Sequence, residues 1–149
     1  MRKFRFRLKT LENLRGMELD SLRQQLAQAQ EGLRIAEQAL LDAREALNNA
    51  YDELMQLRLA QADPTILLSL ERYAMIMRDQ AVACAQNVAR RRQELREARE
   101  RLTAKRREKK VLEKVRERQF AKYSQYVARQ TQKEIDEAAQ STYEQKSQV

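Results

Sequence analysis

Histidine and tryptophan are absent from this 149-residue chain, cysteine and proline occur once each, and glycine occurs twice. Each scarcity removes a class of function. Without histidine there is no imidazole base and no His-containing metal site, and the single Cys84 can form neither a thiolate cluster nor an internal disulfide. Gly16 and Gly32 do not make a phosphate-cradling loop. No run of about 18 apolar residues is present to cross a membrane. The basic N-terminus MRKFRFRLK is not followed by the ~7–15-residue apolar stretch of a signal peptide. Carboxylates are plentiful, but they are spread along polar sequence with no pocket to shift their pKa values. The expectation is a non-enzymatic protein with no cofactor and no metal, reaching a membrane only through a partner or a charged surface. One cysteine fits a reducing cytosolic compartment.

What is present is a helix-former's composition: 35% charged residues, only 5% aromatic, and very few turn residues. Twelve positions from Leu19 to Leu57 carry apolar residues at alternating spacings of three and four without a polar interruption. One row holds Leu19, Leu26, Leu33, Leu40, Leu47 and Leu54. The other holds Leu22, Ala29, Ala36, Ala43, Ala50 and Leu57. A period of 3.5 keeps one stripe facing a partner helix when the two supercoil left-handedly. Alanine on one row lets the partner backbone come close.

The strong break is Gln61-Ala62-Asp63-Pro64-Thr65. Asp63 can cap a helix whose first position is Pro64, where no N–H is needed. The expected fold is therefore all-α: two long helices in one antiparallel coiled-coil hairpin, the second longer. Helix one is expected from about Lys3 to Gln61, the turn at 62–64, and helix two from Pro64 to near Ala138, roughly 90 and 110 Å at the α-helical rise. Gln140 to Val149 is expected to fray. Helix two continues the three-four spacing through Leu67, Leu70, Ala74, Met77, Ala81, Cys84, Val88, Arg91, Leu95, Ala98, Leu102, Lys105, Lys109 and Leu112, with three polar intrusions. A short connection makes the pair antiparallel. One register sets Leu57 by Leu67, Ala43 by Ala81 and Leu22 by Leu102; a shift of one heptad, with Leu19 by Leu112, is also acceptable. In the first register about 17 residues of helix two lack an intramolecular partner, including Tyr123, Tyr126, Val127 and Ile135, and an unpaired helix is marginal in water. The hairpin satisfies its own strong seam, so a monomer is expected.

The net charge of +8 is polarised. Residues 1–9 carry five basic groups and no acid; residues 19–89 carry six basic and ten acidic groups; residues 90–118 carry fourteen basic and six acidic groups. A hairpin brings both basic segments to the end that holds the termini. That end is either a solvated charged face or a dock for an acidic surface. Cys84 falls on the seam as a small core residue. Tyr51, Tyr73 and Met75 fall off the seam in the tip half, as packing for the flanks or as a patch for a partner. Phe4 and Phe6 alternate with basic residues and either cap the terminal end against helix two or insert into a receptor.

Lys3-Phe4-Arg5-Phe6-Arg7-Leu8, followed by Leu11, Leu14 and Arg15, resembles the N-terminus of the FliJ family of flagellar type III export proteins. Residues Glu108 to Arg118, EKKVLEKVRER, and Gln132 to Ala138, QKEIDEA, resemble the family's later segments. Gly16 departs from the polar helix former expected after Leu14-Arg15. The resemblance implies a central-stalk protein similar to the gamma subunit of rotary ATPases. Its terminal end would enter the hexameric flagellar export ATPase, and it would contact the membrane-embedded export gate and escort export chaperones. It would sit in the cytoplasm at the inner face of the cell membrane. Carried over by position, the ring-facing residues are Phe4, Phe6, Arg7, Lys109, Lys110, Lys114, Arg116 and Arg118. Tyr51, Tyr73 and Met75 are the candidates for gate or chaperone contact. The competing readings are an injectisome-type secretion stalk, a generic structural coiled coil, and a basic-helix nucleic-acid binder. Nucleic acid is not the expected partner, because zipper factors place their basic region before a parallel zipper, whereas here most basic charge follows a hairpin.

Overall fold

The computed structural model describes residues 3–147, with side chains through Tyr143. It holds two helices, α1 (Lys9–Leu59) and α2 (Pro64–Ser147), packed as an antiparallel hairpin with the second longer and no strand among the described residues. The chain divides into two compact units. One is Leu19–Ala104; the other joins the segment ending at Glu18 to the segment beginning at Lys105.

In the unit Leu19–Ala104 the seam is the one expected. None of its residues is exposed on either helix: Leu19, Ala36, Ala43, Ala50 and Leu54 of α1 and Ala74, Ala81, Val88, Leu95, Ala98 and Leu102 of α2 are buried, and the rest are half-buried. Alanine explains the close fit, since a buried methyl leaves little between the two backbones, and Ala50 retains only 1% of its exposure. Cys84 is a half-buried, free seam thiol.

Two ion pairs select the register. Arg58 bonds Glu71 across the helices, and Arg92 Nη2 lies 3.0 Å from Glu37 Oε1. Stepping back along α1 from Arg58 to Glu37 matches an equal step forward along α2 from Glu71 to Arg92. These flanking pairs fit the register with Leu57 opposite Leu67. The one-heptad shift would set Arg58 beside Arg78 and Glu37 beside Arg99, replacing an attraction with a repulsion in the first case. Arg91 occupies a seam position opposite Leu33. Its guanidinium passes over Gly32, where an added Cβ would sit 3.6 Å from Nη1, and bonds Glu94 at 3.0 Å, while its Nε is shielded without a partner.

The turn satisfies both helix ends. At the end of α1, Ala62 N donates to Leu57 O (3.0 Å) and Gln61 N to Arg58 O (3.2 Å), a Schellman pattern with Gln61 at φ 53°. At the start of α2, Thr65 N donates to Asp63 Oδ1 at 2.8 Å, and Ile66 N and Leu67 N donate to Asp63 O. Asp63 is thus the N-cap and Pro64 the first helical residue.

Both helix boundaries at the termini differ from expectation. Helix one starts at Lys9 rather than about Lys3. Phe4 and Phe6 are two residues apart, a spacing that puts side chains on one side of an extended segment but about 200° apart on a helix. The non-helical course of Lys3–Phe6 lets the Phe4 ring reach α2 while Phe6 is buried. Helix two runs on to Ser147 instead of ending near Ala138. No glycine or proline follows Ala138 to stop it, and Ser141 and Thr142 hydroxyls donate back to Ala138 O. Of the tail expected to fray, residues 148 and 149 lie outside the described residues.

Candidate functional site

The unit that contains the chain ends is built around a strap. Lys3–Phe6 has no regular structure, Arg7 and Leu8 form a turn, and Lys9 N and Glu12 N donate to Phe6 O and Leu8 O. Phe6 is buried, at 8% of its exposure. The Phe4 ring stands edge-on to Phe120, centroids 5.3 Å apart, and tilted against Tyr123 at 5.5 Å. Such contacts add about 0.5–1.5 kcal/mol each beyond area burial. Phe4, Phe120, Glu12, Glu113, Arg116 and Glu117 border an open cleft of about 440 Å³.

Where the apolar seam gives out, charge takes over. Arg15 Nη1 bonds Glu18 Oε2 at 2.7 Å, and Arg15 Nε lies 3.3 Å from Glu108 Oε2. Lys105 Nζ lies 3.1 Å from Glu108 Oε2 and 3.5 Å from Glu18 Oε2, closing a ring of two cations and two carboxylates across the helices. The hydrogen bond from Arg15, opposed by partial loss of water and aided by the charges of Arg15 and Lys105, holds the Glu18 carboxyl below its ordinary value. The same bond raises Arg15. Further along, Arg116 Nη1 reaches Glu12 Oε1 at 3.2 Å, and Lys109 Nζ sits 3.9 Å from Glu113 Oε1.

These pairs sort the charges of the unit. Glu12, Glu18, Glu108 and Glu113 are held by cations on or beside the seam. Among the described residues Arg7, Lys110, Lys114 and Arg118 are exposed and carry no ion pair. The eight carried-over residues therefore divide. Phe4 and Phe6 pack the strap, Lys109 and Arg116 neutralise carboxylates, and only Arg7, Lys110, Lys114 and Arg118 present free charge. The period-two alternation at the N-terminus and the acids one helical turn from Lys109 and across from Arg116 were the signals for that division.

The tip candidates also divide. Tyr51, Tyr73 and Met75 are all exposed. On α2, Met75 lies about 40° from Glu71 and Tyr73 about 200° from it. Tyr51 precedes Arg58 by two turns, and Arg58 bonds Glu71, so Tyr51 and Met75 share a flank that Tyr73 does not. Exposed Met55, Leu68 and Val82 accompany that flank and were missed; Leu68, Met75 and Val82, seven residues apart, follow the seam by one place each.

No group of three or more possible metal ligands occurs among the described residues, and no helix among them is long and apolar enough to cross a membrane. No curated protein and no solved structure matches the chain. A family model described as Flagellar FliJ protein matches residues 4–148, nearly the whole length, over the same strap, ion-paired seam and hairpin described above, so the chain belongs to the flagellar FliJ family.

Proposed function

We propose that this member of a structural flagellar export family is the central-stalk coupling component of type III export. In this reading its basic terminal unit enters the ring of the export ATPase and stimulates turnover. The exposed flank with Tyr51 and Met75 meets the membrane-embedded export gate or export chaperones. The protein is a monomer positioned at the cytoplasmic face of the cell membrane. Family membership supports the coarser statement, a component of the flagellar export apparatus, and favours the flagellar system over an injectisome. The observation that carries the finer one is the sorting of charge. Glu12, Glu18, Glu108 and Glu113 are held by cations on or beside the seam, and Arg7, Lys110, Lys114 and Arg118 carry no ion pair among the described residues and steer toward an acidic partner.

The test is stimulation of the export ATPase by the full chain. Reversing Arg7, Lys110, Lys114 and Arg118 to Glu is expected to abolish stimulation. Reversing an equal number of tip-unit arginines is expected to leave it intact. Full stimulation by the terminal variant would remove the ring-end assignment.

A further inference from the structure

The charge sorting leaves more of α2 basic than the ring-facing set requires. At about 100° per residue, Arg107, Lys110, Lys114, Arg118, Lys122 and Arg129 fall within an arc of about 120° that runs roughly 33 Å along the helix. Every residue in that arc is exposed, and none is acidic; between the cations stand Val111, Ala121, Gln125 and Ala128. Glu117 lies outside it, and Glu108 and Glu113 are turned to the seam by Lys105 and Lys109. None of the six cations makes an ion pair among the described residues, although Lys110, Lys114, Arg118 and Lys122 follow one another at the four-residue spacing at which like charges repel. A row held in this way is stabilised by a counter-surface.

The geometry points to direct adsorption of this face of α2 on an anionic lipid leaflet. The arc lies on one face of a single helix, so a plane of headgroups laid along that face meets all six cations together. A duplex nucleic acid curves away and meets only those that cross its backbone. Phe120 and Tyr123 are engaged by Phe4 on the other side of the helix, and exposed Tyr126 stands alone about 40° beyond the arc, so the row of cations carries no run of rings on which bases could stack. No helix among the described residues can cross a membrane, so adsorption is electrostatic, with the small apolar residues between the cations lying at headgroup level. This goes beyond ring docking. It shares Lys110, Lys114 and Arg118 with that reading, but Arg107, Lys122 and Arg129 belong to it alone.

The experiment is co-sedimentation of the full chain with vesicles of phosphatidylcholine, with and without about 30% phosphatidylglycerol, in the absence of the ATPase. Binding is expected only to the anionic vesicles and should weaken as salt shortens the screening length. Arg107→Gln, Lys122→Gln and Arg129→Gln together are expected to lower partitioning about 100-fold, at the usual contribution of a basic residue near an anionic surface. Neutralising Arg44, Arg72 and Arg99 to Gln, the same change in net charge within Leu19–Ala104, is expected to change it less than about threefold. Equal losses in the two triple variants, binding to neutral vesicles, or no binding to either vesicle would overturn the proposal. So would duplex DNA competing the chain off the vesicles at equal phosphate. Because no ATPase is present and Arg7, Lys110, Lys114 and Arg118 are intact in the first variant, failure here is distinct from failure of ring docking.

Discussion

Replacing Phe6 by alanine tests how the strap is held. Phe6 is nearly fully buried, yet it sits on a segment that can detach, so no closed cavity survives its removal. The loss is then close to the transfer term for a phenyl ring, about 2–3 kcal/mol, rather than the 3–5 kcal/mol of a truncated core phenylalanine. Ordering the backbone of Lys3–Leu8 costs about 1–2 kcal/mol per residue, so the strap's net stability is small and a loss of that size releases it. Phe4 goes with it, because its contacts with Phe120 and Tyr123 exist only while the strap is down. Phe4→Ala alone should cost about 1–2 kcal/mol, whereas the double variant should cost no more than Phe6→Ala. The assay is tryptic cleavage at Arg5 and Arg7, whose rate follows the population of the open strap; Phe6→Ala should raise it about 30- to 100-fold. Unchanged cleavage, or strictly additive effects of the two substitutions, would refute the strap as the unit that opens.

Gly16 and Gly32 are both helical with negative φ, and a Cβ on Gly16 meets nothing within 4 Å while one on Gly32 meets Arg91 at ordinary contact distance. Alanine at either position should stabilise by up to about 1 kcal/mol, read as a higher midpoint in thermal circular dichroism; a lower midpoint for Gly16→Ala would show that the glycine serves the helix. For Glu18 the sign follows from its lowered pKa. Its contribution is fully present above the ordinary carboxylate value of 4.5 and is lost as pH falls through the depressed value. The gap in thermal stability between the wild type and Glu18→Gln should therefore be largest at neutral pH and narrow as pH falls below 4.5. A gap independent of pH would rule out the carboxylate as its source.

Much of this fold was legible because the seam is a pattern of residue types, and burial follows type when nothing competes. The register was not, since both alignments put apolar residues face to face. It is settled by flanking charges, Arg58 with Glu71 and Glu37 with Arg92, which a seam-only reading leaves aside. The helix start differs because basic and aromatic residues tolerate a helix, while the two-residue spacing of Phe4 and Phe6 decides against it only once α2 is there to receive Phe4 and Phe6 can be buried. The site was legible as an end, not as a set. Lys109 falls on the three-four seam and Lys110 does not, and the 100° between them turns one to Glu113 and leaves the other open. Arg107, Lys122 and Arg129 escaped notice because an outward arc is defined by where the acids are not.

The four-residue link capped by Asp63 also sets an order of events. Partners near it are close in sequence: Arg58 and Glu71 are 13 residues apart, Glu37 and Arg92 are 55, and Glu12 and Arg116 are 104. Closing each successive pair costs more chain entropy unless the pairs before it have formed, so the hairpin zips from the link outward and comes apart in the reverse direction. Pairing is a single-chain event whose effective concentration the link supplies, independent of how many copies are present. The unit that carries the strap and the sorted charges closes last and opens first. Its surface is therefore the part of the molecule whose existence depends most on everything else having folded.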